Sequence, residues 1–194
     1  SGDVLSTGIS LFSAANYNGE RILDLQGGSR TFTVDSGTLD IRTTIQNGTL
    51  VKAGAGTLIL SRTGSTADYS FTEGGVTIAT QANAGNVTHS AGALRMDIGG
   101  FSPVSLTTSG NFTSTGGTIE LTAANGPISP GLFELVRYQG SLIGTPTVNI
   151  PPSLVASRMN PVIDYGTGTD SAITVTTTAL LLSLTWRGSA AGGL

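Results

Sequence analysis

The sequence predicts an all-β chain whose short strands stack as the coils of a parallel β-solenoid. Its 194 residues include 28 glycines and only 11% charged residues, yet 38% are hydrophobic. This composition suits a folded β protein with many turns. No stretch has the period of an amphipathic helix, and apolar residues spaced two apart recur at regular intervals instead.

The apolar pairs form a first repeating series, and most of them follow a glycine by two or three residues. The pairs are Leu23/Leu25, Leu39/Ile41, Leu58/Leu60, Val76/Ile78, Leu94/Met96 and Ile119/Leu121. Their first members are separated by 16, 19, 18, 18 and 25 residues. We expect both members of each pair to point into the core.

Single apolar residues between the pairs form a second series. They are Phe32, Leu50, Tyr69, Val87 and Phe112, with steps of 18, 19, 18 and 25 residues. Both series lengthen at the same place, which is typical of one repeat of roughly 18–20 residues per coil in a solenoid. Each strand should then pair in parallel with its equivalent in the next coil, about 4.8 Å away.

Glycines recur before the strands and indicate where the coil turns. Gly37, Gly56, Gly75 and Gly92 occupy one predicted corner, since glycine adopts positive φ without steric cost. Between the inward leucines, Thr57, Ile59 and Thr77 should face outward, as β-branched residues do on half-exposed strands.

The point where the regular repeat ends predicts a boundary between two parts of the chain. The long step falls in residues 99–107, where Pro103 favours a loop that bulges from the coil. Prolines multiply after Gly126, so we expect solenoid coils over residues 1–126 and a β-hairpin-rich closing segment over 127–194. Within the latter, VIDYGTGTDSAITV predicts a hairpin with a Gly/Asp-rich turn.

Charge and composition argue against several classes of partner. The net charge is −3 and the nine basic residues are scattered, so we expect no nucleic-acid partner. Cysteine is absent, which excludes disulfides and thiolate metal sites. The uncharged stretch 171–186 is too short and too rich in Thr to span a bilayer, so we expect no membrane contact from this segment.

The glycine-rich stretch AGAGTL does not fit a phosphate-binding loop. Such a loop needs a lysine directly after its last glycine and then a helix, whereas Lys52 lies upstream and a strand follows. The single histidine, His89, rules out a pair of histidine metal ligands, and the chain has no Gly-x-Ser-x-Gly nucleophile motif. We interpret His89 as a solvated or capping residue.

Carboxylates beside the inward pairs are the remaining candidates for chemistry, because several could align on one face of the solenoid. They are Asp24, Asp40, Glu73, Asp97 and Glu120. No basic residue clusters with them in the sequence. Asp164 and Asp170 flank a glycine-rich turn that lacks a dense calcium-ligand pattern. We therefore predict no catalytic, cofactor-binding or metal-ligating residue, and no cofactor.

The stretch VKAGAGTLILS resembles the autotransporter-associated β-strand repeat of bacterial surface proteins. The resemblance rests on Lys52, Gly54, Gly56, Thr57, Leu58, Leu60 and Ser61. ILDLQGGSRTFTV upstream, and GLFELVRYQGSLIG and LTWRG downstream, are similar to segments that precede or close such units. After Ser61 the chain departs from the family, since STADYSFTEGGVTIA replaces its usual continuation.

The resemblance implies a right-handed β-helix in an extracellular passenger, displayed on a Gram-negative cell through a C-terminal barrel that is not part of this sequence. If Trp186 opens a further unit, the closing segment runs into the start of that unit. The expected function is a non-catalytic adhesin stalk or scaffold that binds a host-surface protein or glycan.

Two other functions compete with this expectation. A structural repeat of a fibre or surface layer would associate only with further copies of itself. A carbohydrate-active β-helix would need a cluster of carboxylates with perturbed pKa values in a groove.

Overall fold

The protein is an all-β solenoid of stacked parallel coils. The computed structural model describes residues 3–13, 21–100, 104–152, 154 and 159–179. The strands of these residues are β1 (Val4–Ser6), β2 (Ile9–Phe12), β3 (Ile22–Val34), β4 (Thr38–Ile41), β5 (Thr44–Ala53), β6 (Thr57–Leu60), β7 (Asp68–Phe71), β8 (Gly75–Ile78), β9 (Ala82–Ala84), β10 (Val87–His89), β11 (Ala93–Asp97), β12 (Leu106–Thr108), β13 (Phe112–Ser114), β14 (Thr118–Thr122), β15 (Gly131–Ile143), β16 (Thr147–Asn149), β17 (Met159–Asp164) and β18 (Thr169–Ala179).

Face A of the solenoid is a seven-stranded sheet that contains β2, β4, β6, β8, β11, β14 and β16 in chain order. Its inward residues stack directly in register, with Leu39 on Leu58, Leu58 on Val76, Val76 on Leu94 and Leu94 on Ile119. All five are buried. Each such side chain stabilises the fold by about 1.5–3 kcal/mol through removal from water. The predicted column is confirmed.

Face B consists of β1, β7, β10, β13 and the ends of β3, β5 and β15 that pair with them. Leu50, Tyr69, Val87 and Phe112 stack in register as predicted. Phe32 does not belong to this column, because its partner in β5 is Lys52. The sequence spacing predicted that Phe32 pairs with Leu50, so the observed register of β3 differs from the predicted one by two residues.

Leu23 was also assigned to the wrong column. It pairs with Ile45 of β5 and not with face A, where Ser10 of β2 lies beneath Leu39. The step of 16 residues joined two different faces, because face A of this coil is β2 and Leu23 lies further along the chain in β3. The ladder of β3 to β5 also shifts its register between Asp24 and Gly28.

Face C carries β9, β12 and the middle of β15, which are parallel and in register. After β16 the pairing direction changes, since β18 runs antiparallel to β15 and β17 runs antiparallel to β18. The predicted hairpin at 162–175 is thus confirmed. Pro103 and the end of the uncharged stretch, residues 180–186, lie outside the described residues.

The corner before face A explains the spacing of the glycines. Gly37, Gly74 and Gly92 have φ of 69°, 70° and 81°, a left-handed conformation that favours glycine. A side chain on Gly92 would collide with the carbonyl oxygen of Gly74 one coil below. Gly75, predicted for this corner, is one residue too late, because it already pairs with Thr57 in the strand.

Candidate functional site

A buried lysine lies in face B, in the inward column that follows Phe32. Lys52 is fully buried, and its Nζ donates to the carbonyl oxygens of Ala53 at 2.8 Å, Gly54 at 2.6 Å and Glu73 at 3.2 Å. Burial lowers its pKa, while the charges of Glu73 and Asp35 raise it. Lys52 therefore ties one corner of its coil to the next coil.

The glutamate beside this lysine completes the corner. Glu73 accepts a hydrogen bond from the backbone N–H of Gly54 at 3.1 Å. Two successive coils are thus joined by a side chain from each of them. The lysine and glycines that carry the family resemblance here hold the corner of the fold.

The histidine lies in the same inward column, two coils further along. His89 pairs with Phe71 below and Ser114 above, and it is only 1% exposed. Its ring meets Phe71 edge to face, with centroids 6.3 Å apart. The prediction of a solvated histidine is wrong, because strand alternation turns this residue inward with Val87.

The hydrogen bonding of His89 is incomplete. Its Nε2 lies 3.3 Å from the carbonyl oxygen of Gly92, whereas its buried Nδ1 has no hydrogen-bond partner among the described residues. Burial lowers its pKa, and the nearby backbone groups of Gly92 and Ala91 partly offset this. Within the described chain, no hydrogen bond joins His89 to a carboxylate or a serine hydroxyl, as a catalytic triad would require.

The candidate carboxylates are distributed over different parts of the solenoid. Glu120 pairs with Arg95 at 3.0 Å on face A. Asp40 pairs with Arg42 at 2.6 Å on the same face, four coils away from Glu120.

The other three carboxylates bind backbone groups near turns. Asp24 accepts the N–H of Gln26, Asp97 accepts those of Gly99 and Asn125, and Glu73 that of Gly54. In the described ranges, no three His, Cys, Asp or Glu residues are close enough to hold a metal ion.

The two aspartates of the predicted hairpin also bind different groups. Asp164 accepts the N–H of Gly166 at 2.9 Å, and Asp170 pairs with Arg137 at 3.2 Å. Each therefore stabilises local structure at the turn.

A ladder of one carboxylate and two amide side chains runs along the corner between faces C and B. Each member accepts a hydrogen bond from a backbone N–H of the following coil. Asp68 accepts from Asn86 at 2.6 Å, and Asn86 accepts from Asn111 at 2.9 Å. Asn111 accepts from Ser141 at 2.8 Å. Each ladder residue immediately precedes an inward column residue, so its position in the repeat was a readable signal. Asn86 and Asn111 each also begin an Asn-x-Thr glycosylation sequon.

The outer surface of the described residues includes two cavities of note. The first, of about 320 Å³, lies on face C and is lined by polar uncharged side chains that include Asn83, Thr107 and Gln139. The second, of about 450 Å³, lies where the β17–β18 turn meets the end of β15, beside Tyr138 and Tyr165. Sequence reasoning missed both, because each combines residues from several coils.

The two tyrosine hydroxyl groups of the second cavity are already bonded within the protein. Tyr138 donates to the carbonyl oxygen of Tyr165 at 2.8 Å, and Tyr165 donates to that of Pro146 at 3.0 Å. These bonds fasten the hairpin to the coils.

The class of protein that this architecture defines is the parallel β-solenoid. Comparison with known proteins gave no matching family model, no similar curated protein and no similar solved structure. In the part of the chain that the structure describes, no helix is long and apolar enough to cross a membrane.

Proposed function

We propose that this chain is a non-catalytic extracellular module of a bacterial surface protein, acting as an adhesin stalk or binding scaffold. One observation carries the proposal: the groups best suited to chemistry are used to join coils. Lys52 binds three carbonyl oxygens across a corner, and His89 is packed between Phe71 and Ser114. A continuous core of this kind makes an extended and rigid rod.

The outer surface of this rod favours binding over catalysis. On face B, the outward positions of β7, β10 and β13 are Ser70, Thr88 and Thr113, which lie side by side in successive coils. Such short, ordered side chains on rigid strands form a regular surface that needs little ordering when a partner binds.

Binding of the purified chain to host cells tests this proposal. Fluorescently labelled chain should bind host cells in a saturable manner, and unlabelled chain should compete for the same sites. Heat-unfolded chain is the matched control and should not compete. Saturable binding that the folded chain fails to displace, or no binding to any of the host cell types tested, would contradict the adhesin function.

The structural-repeat alternative is favoured by a different observation. β1 and β2 are edge strands, and Leu5, Ile9 and Leu11 on them are 66%, 91% and 58% exposed. An open strand edge with apolar side chains is a template for pairing with another copy. Sedimentation velocity would then show concentration-dependent oligomers that the double variant Ile9→Lys, Leu11→Lys reduces to monomers.

A further inference from the structure

The cavity on face C is built from a regular part of the solenoid. Asn83 of β9 and Thr107 of β12 are direct partners in a parallel ladder, and β15 follows as the next strand. Gln139 of β15 lies at the same cavity. Adjacent strands of a sheet are about 4.8 Å apart, so polar side chains succeed one another along the solenoid axis at that interval.

The side chains of this cavity keep much of their hydrogen-bonding capacity. The Asn83 Oδ1 accepts the N–H of Gly64 at 2.8 Å, which orients the amide and leaves its two N–H donors for another partner. Among the described residues, the side chains of Thr66, Thr107 and Gln139 have no hydrogen-bond partner. The cavity thus offers several donors and acceptors on a rigid sheet.

The charge around the cavity indicates which ligand it suits. None of its lining residues is charged. The nearest cation on the same ladder, Arg137, is the partner of Thr107, and its guanidinium already binds Glu134 at 3.1 Å and Asp170 at 3.2 Å. Arg137 is therefore already engaged by two carboxylates, which disfavours an anionic ligand on this ladder.

We propose that this cavity binds a neutral oligosaccharide whose chain runs along the solenoid axis. Sugar hydroxyls both donate and accept hydrogen bonds, as the amides and hydroxyls lining the cavity do. A volume of about 320 Å³ is within the range of small-ligand sites. The proposal rests on the proposed function as a binding scaffold, and it names the ligand class and the face that binds it.

Isothermal titration of the purified chain tests the site with cellohexaose, maltohexaose and chitohexaose as neutral probes, and with oligogalacturonate as the anionic comparison. At least one neutral probe should bind. Gln139→Ala should weaken its binding about tenfold, the effect of one or two lost hydrogen bonds. Thr107→Lys should abolish it, because a long charged side chain would occupy the cavity. The control Thr77→Lys, on the outward side of face A, should bind like the wild type.

Circular dichroism shows whether each variant folds. Gln139 is exposed, so Gln139→Ala should fold and still test the site if Thr107→Lys does not fold. Binding of none of the neutral probes, stronger binding of oligogalacturonate, or equal binding by Gln139→Ala and wild type would overturn the proposal. Cell binding that persists without sugar binding would refute this site alone. If the wild-type chain does not bind host cells, the adhesin function itself is refuted.

Discussion

Replacing Leu58 by Asp tests how the solenoid is held together. Leu58 is fully buried, with Leu39 below it and Val76 above it in the core of face A. Losing the leucine contacts costs about 2–5 kcal/mol. A carboxyl group without a partner in this apolar column adds about 1–3 kcal/mol or more. The sum is comparable to the whole free energy of unfolding of a typical domain, about 5–15 kcal/mol.

The adjacent residue provides the matched control. Thr57 points outward on the same strand and is half-buried, and the Arg95 Nη1 lies 3.4 Å from its hydroxyl oxygen. Thr57→Asp should therefore cost only about 1 kcal/mol in strand propensity, and attraction to Arg95 offsets part of that. Both variants place the same side chain on the same strand, so they differ only in the face they occupy.

Thermal and urea unfolding followed by circular dichroism measure the two costs. We expect Leu58→Asp to be unfolded or to lose most of its stability, and Thr57→Asp to melt near the wild type. Leu58→Met should cost less than about 1.5 kcal/mol, since it keeps volume and polarity. Equal effects of the two aspartates, or the reverse order, would show that the register is shifted by one residue.

Three further predictions concern buried polar residues. Lys52→Met should lower the free energy of unfolding in urea by about 1–3 kcal/mol, because buried carbonyl oxygens lose their donor. The control Arg62→Met, on the surface, should leave this free energy unchanged. Equal effects of the two variants would refute the role of Lys52 in joining successive coils. His89 has a lowered pKa when folded, so the unfolded chain binds more protons, and stability should fall as pH drops below about 6.5. His89→Gln should remove that slope, and an unchanged slope would assign it to other groups. Burial raises the pKa of Tyr69 to about 12, so stability should decline as pH rises from about 10 towards 12. Tyr69→Phe should flatten this alkaline decline in urea midpoints, and failure to do so would contradict its burial.

Much of the fold was readable from the sequence because a solenoid repeats its side-chain pattern. Inward residues of parallel coils must stack, so Leu39, Leu58, Val76, Leu94 and Ile119 had to recur at nearly constant spacing. The inward direction of Lys52 and His89 was also readable, since they follow Leu50 and Val87 by two residues. A polar side chain is expected to face solvent, but the alternation of side chains along the strand turns both residues inward.

The tertiary structure decided the rest. Phe32 meets Lys52 and Leu23 meets Ile45, and these partners are set by how β3 lies against β5 and not by the spacing of apolar residues. The hydrogen bonds of Lys52 to Gly54 and Glu73 depend on the position of the next coil. The face C cavity likewise needs several coils to exist. The repeat and most of the inward columns follow from the residue spacing alone, because periodic burial requires periodic residues. Only the tertiary structure determined the register at irregular positions and the surface sites, because these depend on contacts between residues far apart in the chain.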